Sequence, residues 1–214
     1  MNAYVDEPRS FALAEACNQR RLMLNQPHIK RLTEYVEHLR RKYPAWEFQD
    51  FDPCDGGCDA NILFLLEKPG PKTSKVSGEG SGFISRNNDD PTAEAIFRFM
   101  LEAGVPRKKT LLWNVIPGWN GTRKITSMER REGVDELRHL FPLIPKLRTV
   151  VLVGRQAGRA ENLMQHIGLK IHKSSHPSPI VRATNLAKWE SIPLQWKVAF
   201  DENLSLTDQL VSSP

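Results

Sequence analysis

The stretch that decides the fold class is Asn61-Ile62-Leu63-Phe64-Leu65-Leu66-Glu67-Lys68-Pro69-Gly70. Its first part is apolar without alternation, which is typical of a strand buried on both faces of a parallel sheet. The Pro-Gly pair indicates that a turn follows the strand. The runs 110–116 and 149–153 have the same character, and 169–172 is a weaker fourth. The sequence therefore predicts four strands of a mostly parallel sheet.

Helical patterns lie between and around these runs. Asp90-Pro91 begins one helix, with an N-cap residue followed by proline at the first helical position, and Gly104 ends it. Similar patterns cover 134–140, 156–167 and 186–200. Alternating strands and helices predict an α/β fold, a three-layer α/β/α arrangement around the four-stranded sheet. We expect a single domain over 1–214, in which N-terminal helices in 1–45 pack on an α/β core over 60–200.

Composition limits the class of protein. The chain has 214 residues, 30 Lys and Arg against 25 Asp and Glu, and a formal net charge of +5, which permits an anionic partner. Its 3 cysteines are an odd number, which excludes a disulfide framework and favours a reducing compartment. No apolar run is long enough to span a membrane, and the first residues lack the apolar segment of a signal peptide. We expect an intracellular, cytoplasmic protein without a membrane partner.

Polar residues follow the predicted strands at the ends where ligands of open α/β sheets bind. Glu67-Lys68-Pro69-Gly70 follows the first strand, Asn114 lies in the second, and His176-Pro177-Ser178-Pro179 follows the fourth. In this order and spacing, the motifs resemble the uracil-DNA glycosylase superfamily over roughly Ile62 to Arg182. The resemblance implies that the protein flips a uracil, or another deaminated base, out of DNA and hydrolyses its N-glycosidic bond.

The resemblance also implies the setting of that reaction. It implies a monofunctional DNA repair glycosylase with no lyase step, which acts in base excision repair without metal or cofactor. The partner would be uracil-containing DNA, single- or double-stranded, bound by a monomer at the bacterial nucleoid.

The resemblance assigns the base pocket to a few residues. Glu67, Lys68, Pro69 and Gly70 would line it, and Phe83 would stack on the base. Base–aromatic stacking contributes about 1–3 kcal/mol.

Two polar side chains would read the base and its charge. The Asn114 amide has one acceptor and one donor, which match the N3–H and O4 of uracil, whereas cytosine presents the reverse pattern. His176 would donate a hydrogen bond to uracil O2, where negative charge develops as the glycosidic bond breaks.

DNA binding is expected from two loops. Lys72 and Lys75 lie in a stretch rich in Gly, Ser and Lys that suits contacts with phosphates. Ser178, Ile180 and Arg182 belong to the loop that enters the minor groove in the family. Ile180 is expected to fill the gap left by the flipped base, with Arg182 as the alternative.

One catalytic position departs from the family pattern. Where several relatives carry an Asp or Asn that positions the hydrolytic water, this chain has Lys68, which cannot act as a base unless its pKa is strongly lowered. We expect Glu67 to position the hydrolytic water instead. Asp89 is the reserve carboxylate, or Asn88 a reserve water-orienting residue, because Asp90 is explained as a helix cap.

Two alternatives stay open. Cys17, Cys54 and Cys58 are too few for an iron–sulfur cluster with four thiolates, so they are free thiols or, with His28, a zinc site. The rival function is a uracil-DNA binding protein with weak turnover, because Lys68 occupies a catalytic position. A general nucleotide-binding protein is disfavoured because no G-x-G-x-x-G follows the first strand.

Overall fold

Parallel strands form the central sheet, in the order β5-β3-β7-β8. The computed structural model describes residues 6–74 and 80–211. The strands are β1 (Glu47–Phe48), β2 (Asp50–Phe51), β3 (Ile62–Leu66), β4 (Phe83–Ile84), β5 (Thr110–Asn114), β6 (Gly118–Trp119), β7 (Thr149–Val153) and β8 (Lys170–Ser174). The predicted four-stranded α/β fold is confirmed, and the four strands are all parallel.

The register of the sheet brings the predicted motifs to one edge. Leu66 of β3 lies opposite Asn114 of β5, so Glu67 and Asn114 emerge side by side. Val153 of β7 lies opposite Ser174 of β8, which places the start of the loop to His176 at the same edge. This edge is where the carboxyl ends of all four strands meet.

Helices surround the sheet. They are α1 (Ala14–Leu22), α2 (Pro27–Lys42), α3 (Pro91–Glu102), α4 (Ser127–Leu140), α5 (Arg155–Gly158), α6 (Pro179–Thr184), α7 (Leu186–Glu190) and α8 (Ile192–Val211). Helix α3 begins as predicted, because the Asp90 side chain accepts hydrogen bonds from the backbone N–H groups of Thr92 and Ala93. Among the described residues, no helix is both long and apolar enough to cross a membrane.

A buried ionic network attaches α1 to the core. Asp52 is fully buried and pairs with Arg20 of α1 and with Arg107, which precedes β5. The Ser85 hydroxyl donates to the same carboxylate. Burial alone would raise the pKa of Asp52, but Arg107 and Arg20 outweigh it and hold the pKa below its ordinary value. The carboxylate is therefore ionised and holds two arginines in place.

Two parts of the chain differ from the sequence prediction. The predicted helix over 156–167 is the single turn α5 followed by a 3-10 turn, Glu161–Met164, and Gly158 at the end of α5 disfavours continuing the helix. The pattern over 186–200 is two helices, α7 and α8, and the Asn185 side chain caps the first of them.

The ladders β1–β6 and β2–β4 were not predicted, because two-residue strands leave no periodic signal.

Candidate active site

A cavity of about 380 Å³ opens at the carboxyl edge of the sheet. Its walls come from the segment after β3, the end of β5, the start of α3 and the loop after β8. The size lies in the usual range for small-molecule sites. The lining includes Glu67, Lys68, Pro69, Gly70, Ser85, Asn88, Asp90, Asn114, Arg123 and His176. The structure thus brings together six of the eight residues that the sequence predicts for catalysis and base binding, namely Glu67, Lys68, Pro69, Gly70, Asn114 and His176.

Several polar side chains of the lining, among them Asn114, Glu67 and His176, have no hydrogen-bond or ion-pair partner for at least one polar atom within the described ranges 6–74 and 80–211. The Asn114 Oδ1 is buried without a hydrogen bond. The Glu67 carboxylate and the His176 ring likewise make no side-chain hydrogen bond or ion pair there. Buried polar groups are normally satisfied, so the buried Asn114 oxygen without a partner indicates a place for a polar atom of a ligand or water. The cavity therefore offers acceptors and donors to whatever fills it.

Burial shifts the protonation of two of these groups in useful directions. It raises the pKa of Glu67 above its ordinary value, and the positive charge of Arg123 partly opposes that shift. It lowers the pKa of His176, so the imidazole is neutral at pH 7 and carries one N–H donor. Glu67 is thus a carboxylate with a tendency to take up a proton, and His176 is a neutral hydrogen-bonding group.

Gly154, which follows β7, sets the position of His176. Its backbone has φ 89° and ψ 165°, a region that is essentially restricted to glycine. A Cβ at this position would lie 2.9 Å from both the Cβ and the Cδ2 of His176. The strand end and the histidine loop can therefore approach this closely only because residue 154 has no side chain.

The start of α3 forms another wall of the cavity. Asp90 lines it although its Oδ1 caps the helix, and burial raises the pKa of this carboxyl. The amide of the reserve residue Asn88 is engaged, because its Oδ1 accepts from Ser81 and its Nδ2 donates to the carbonyl of Phe83. Asn88 therefore lines the cavity with its hydrogen-bonding groups already in use.

Two predicted site residues lie elsewhere. The Phe83 ring is fully buried and packs against Phe11 with 5.6 Å between ring centroids, outside the cavity lining. In this arrangement the ring packs within a core cluster with Phe11 and Cys17 and has no face exposed to a base. Asp89 is about half exposed, pairs with Arg9 and does not line the cavity. The cap at Asp90 turns the chain so that Asp90, and not Asp89, faces the site.

Lys68 lines the cavity, but its ammonium group is bound away from it. The side chain is only 3% exposed and forms an ion pair with Glu129. In this structure the ammonium group of Lys68 is therefore not available to contact a base in the cavity.

The loop expected to enter the minor groove forms the start of α6. The Ser178 Oγ accepts a hydrogen bond from the backbone N–H of Val181 and caps this helix. Ile180 is 73% exposed, although it is a large apolar residue, and Arg182 is exposed on the same helix. Lys72 lies in the 3-10 turn Pro71–Thr73, and Lys75 lies outside the described residues. Ile180 is an exposed isoleucine four residues after His176, which fits a side chain available for contact with a partner.

The cysteines lie apart from the cavity lining. Cys17 and Cys54 are buried, and burial raises the pKa of the Cys54 thiol to about 12. The Nε2 of His28 is hydrogen-bonded to the carbonyl of Pro53 at 2.7 Å. Within the part of the chain that the structure describes, no three Cys, His, Asp or Glu side chains are grouped as metal ligands.

Among the cavity residues that sequence reasoning missed is the charged residue Arg123. It is exposed on the loop between β6 and α4 and lines the cavity beside Glu67. The run of basic residues over 104–131 contains it, but the charge pattern does not tell which of them reaches the site.

Comparisons with known proteins identify a family that this chain resembles. A family model described as the uracil DNA glycosylase superfamily matches residues 54–197, about two thirds of the chain. A solution NMR structure of a proposed uracil DNA glycosylase from Methanosarcina acetivorans is similar, with 19% identity and a TM-score of 0.43. The match covers 68% of this chain and 91% of that one. Among curated proteins, none matches the sequence.

Proposed function

The chain belongs to the uracil DNA glycosylase superfamily, and on that premise we propose that it hydrolyses the N-glycosidic bond of uracil in DNA. One observation carries the proposal. Glu67, Asn114 and His176 come from three different strand ends, line one cavity and have no partners among the described residues. An enzyme that acts on a flipped base needs such a pocket, with free polar groups placed around the base.

Asn114 recognises the base in this proposal. Its Oδ1 accepts from N3–H of uracil and its amide nitrogen donates to O4, so the buried oxygen that lacks a partner gains one. Cytosine would place an acceptor against that oxygen and a donor against the amide nitrogen. The buried Oδ1 would stay unsatisfied, which costs roughly 1–3 kcal/mol.

His176 stabilises the leaving base. As the glycosidic bond breaks, its electron pair moves onto the base, and negative charge collects on O2. A neutral imidazole held in place by Gly154 donates its N–H to that oxygen. Preorganised donors of this type contribute about 2.7–4 kcal/mol to transition-state stabilisation.

Glu67 positions the water that completes the hydrolysis. The sugar becomes oxocarbenium-like when the base leaves, and water attacks its C1′. Glu67 accepts a hydrogen bond from this water and takes its proton as the C–O bond forms. The ionised carboxylate also lies close to the cationic sugar, which favours the same transition state.

DNA binding uses the rim of the cavity. Exposed basic residues such as Arg182 contact phosphates and fix the register of the strand, whereas the pocket identifies the base. Ile180 enters the space that the flipped nucleotide leaves in a duplex. The reaction needs no lyase step, since water and not an amine of the protein attacks C1′, and a monomer suffices.

Release of free base tests the proposal directly. Oligonucleotides that each carry one uracil, hypoxanthine or xanthine are incubated with the protein below stoichiometric amounts, and released base is quantified by chromatography. Uracil released in molar excess over the protein supports an enzyme. A stoichiometric complex without turnover would instead favour the uracil-DNA binding protein.

Asn114→Asp supplies the matched specificity test. Aspartate is almost isosteric but offers only acceptors when ionised, so we expect the ratio of uracil to cytosine release to fall. An unchanged ratio at an unchanged rate would remove Asn114 from the pocket.

A further inference from the structure

The ammonium group of Lys68 is tied to one loop by several contacts. It donates to the Oδ1 of Asn120 at 2.7 Å, to the carbonyl of Lys124 at 3.1 Å and to the Oε1 of Glu129 at 2.9 Å. It also lies 5.4 Å from the ring centroid of Trp46, in the arrangement of a cation–π contact. Because only 3% of its side chain is exposed, Lys68 is a buried residue rather than a surface lysine.

Two partners of Lys68, Asn120 and Glu129, are hydrogen-bonded to each other. Glu129 completes a capping box at the start of α4, where its Oε2 accepts from the backbone N–H of Thr126 and the Thr126 Oγ1 accepts from the N–H of Glu129. The Nδ2 of Asn120 donates to the same Glu129 at 2.9 Å. Lys68 therefore fastens both ends of the loop 120–124 to the segment that follows β3, next to Glu67.

This loop carries Arg123 to the cavity. Arg123 lines the cavity and is exposed, and within 6–74 and 80–211 its guanidinium has no hydrogen-bond or ion-pair partner. Its charge is near enough to oppose the rise in the pKa of Glu67. An unpaired guanidinium at the rim of a pocket is suited to a planar, bidentate contact with a phosphate.

We propose that Lys68 is a positioning residue that holds the loop 120–124, and that Arg123 on this loop binds the DNA phosphate next to the flipped nucleotide. The inference rests on the proposed function for its ligand. It explains why a lysine is present at a position where relatives carry a water-orienting residue: the side chain serves the loop and leaves the water to Glu67.

A double-mutant cycle tests the connection between the two residues. Arg123→Gln, Lys68→Met and the double variant are compared for affinity to a duplex with one 2′-fluoro-substituted deoxyuridine, whose sugar resists formation of the cation. Loss of a charge-assisted contact should weaken binding by about 10- to 100-fold for Arg123→Gln. Lys124→Gln is the matched control, since it removes the same charge at the next residue, outside the cavity lining.

Because Lys68 acts through Arg123, the double variant should lose no more affinity than Arg123→Gln alone. The slope of log K against log salt should fall in magnitude by about 0.9 for Arg123→Gln, the value for one phosphate contact on a duplex. The proposal would be overturned if the losses of DNA affinity in Arg123→Gln and Lys68→Met were additive in the double variant, or if the salt slope of Arg123→Gln equalled that of the wild type. A shift of the pH–rate profile with an unchanged salt slope would also overturn it, because it would mean that Arg123 acts only on Glu67.

Hydrogen exchange tests the role of Lys68 without any activity measurement. Amides of 120–124 should exchange faster in Lys68→Met than in the wild type, at an unchanged rate for the strands of the sheet. Glu129→Gln, which breaks the ion pair from its other side while glutamine can still complete the capping box, should reproduce this if Lys68→Met does not fold. Glu132→Gln, on an exposed residue one turn further along α4, is the control.

Unchanged exchange in both Lys68→Met and Glu129→Gln would refute the positioning role. The two proposals fail separately. A wild type that releases no base would refute the proposed function, whereas the exchange and salt measurements would still decide whether Lys68 holds the loop and whether Arg123 contacts phosphate.

Discussion

Gly154→Ala should separate the position of His176 from the stability of the fold. The added Cβ would lie 2.9 Å from the Cβ and Cδ2 of His176 and 3.2 Å from its Cγ. Contacts this short force a shift, and the atoms that must move belong to the histidine itself, including the base of its side chain. A displacement of the imidazole by several tenths of an ångström is therefore the direct consequence of the substitution.

The expected loss of folding stability in Gly154→Ala has two contributions. Alanine at φ 89° and ψ 165° costs about 1–3 kcal/mol of backbone strain. Overpacking against a fixed neighbour costs about 1–3 kcal/mol more. The sum, about 2–6 kcal/mol, lies below the middle of the range of about 5–15 kcal/mol that is typical of whole domains, so we expect the variant to stay folded at 25 °C with reduced stability. A misplacement on the order of 1 Å at a reacting group can cost about 100-fold in rate, and we expect a loss approaching this.

The assay pairs urea unfolding with single-turnover release of uracil from one oligonucleotide. Gly168→Ala is the matched control, because Gly168 also has a positive φ, 71°, but an added Cβ there meets open space. It should lose about 1–2 kcal/mol of stability and keep the wild-type rate. If Gly154→Ala is destabilised but releases uracil as fast as Gly168→Ala does, the position of His176 does not control the reaction.

Three further outcomes are expected. Glu67→Gln should lower single-turnover release by about 10²–10⁴-fold with DNA affinity nearly intact, and a loss under tenfold would show that water needs no carboxylate. Ile180→Ala should slow release from duplex DNA by up to about 60-fold, because it removes three carbon atoms that are each worth about 0.8 kcal/mol when buried, and leave release from single strands unchanged; equal losses would contradict a wedge. Asp52→Asn should cost about 3–5 kcal/mol, because Arg20 and Arg107 lose their buried counter-charge. Since the folded pKa of Asp52 is below its ordinary 3.8, the stability that its charge contributes is complete above that pH and is lost as pH falls through the lower folded value. Urea unfolding at several acidic pH values should therefore show a steeper loss of stability in the wild type than in Asp52→Asn, which keeps the other carboxylates with lowered pKa values.

Three strands of the sheet, β3, β5 and β7, were predictable from sequence because they are buried on both faces, whereas the edge strand β8 is partly exposed and has a weaker apolar pattern. Strands buried on both faces read as continuous apolar runs, and Ile62–Leu66 and Thr149–Val153 have nearly the predicted bounds. The region after β7 was not predictable in the same way. Its apolar residues keep a helical spacing through 156–167, but Gly158 interrupts the helix after a single turn. Periodicity reports which face is buried and not whether the backbone stays regular.

The site was predictable where topology alone decides it. Glu67, Asn114 and His176 meet because parallel strands place their carboxyl ends at one edge. Phe83 was misplaced because an aromatic residue after a motif is equally suited to a core, and only the packing against Phe11 distinguishes the two. The charge pattern could not select Arg123, because its place depends on a loop that is held by side-chain contacts far apart in sequence.

The same contacts explain how the site can work with a lysine inside its first motif. A second carboxylate at position 68 would repel the charge of Glu67 and raise its pKa further, beyond what burial does already. With Lys68 turned to Glu129, the lining carboxylates are Glu67 and Asp90, and the Oδ1 of Asp90 is used to cap α3. Arg123 meanwhile opposes the effect of burial and favours the ionised form of Glu67 that can accept a proton from water. On the proposed function, the lysine thus leaves Glu67 as the cavity carboxylate without an ion-pair partner, because the charge of Lys68 is neutralised by Glu129 outside the cavity lining.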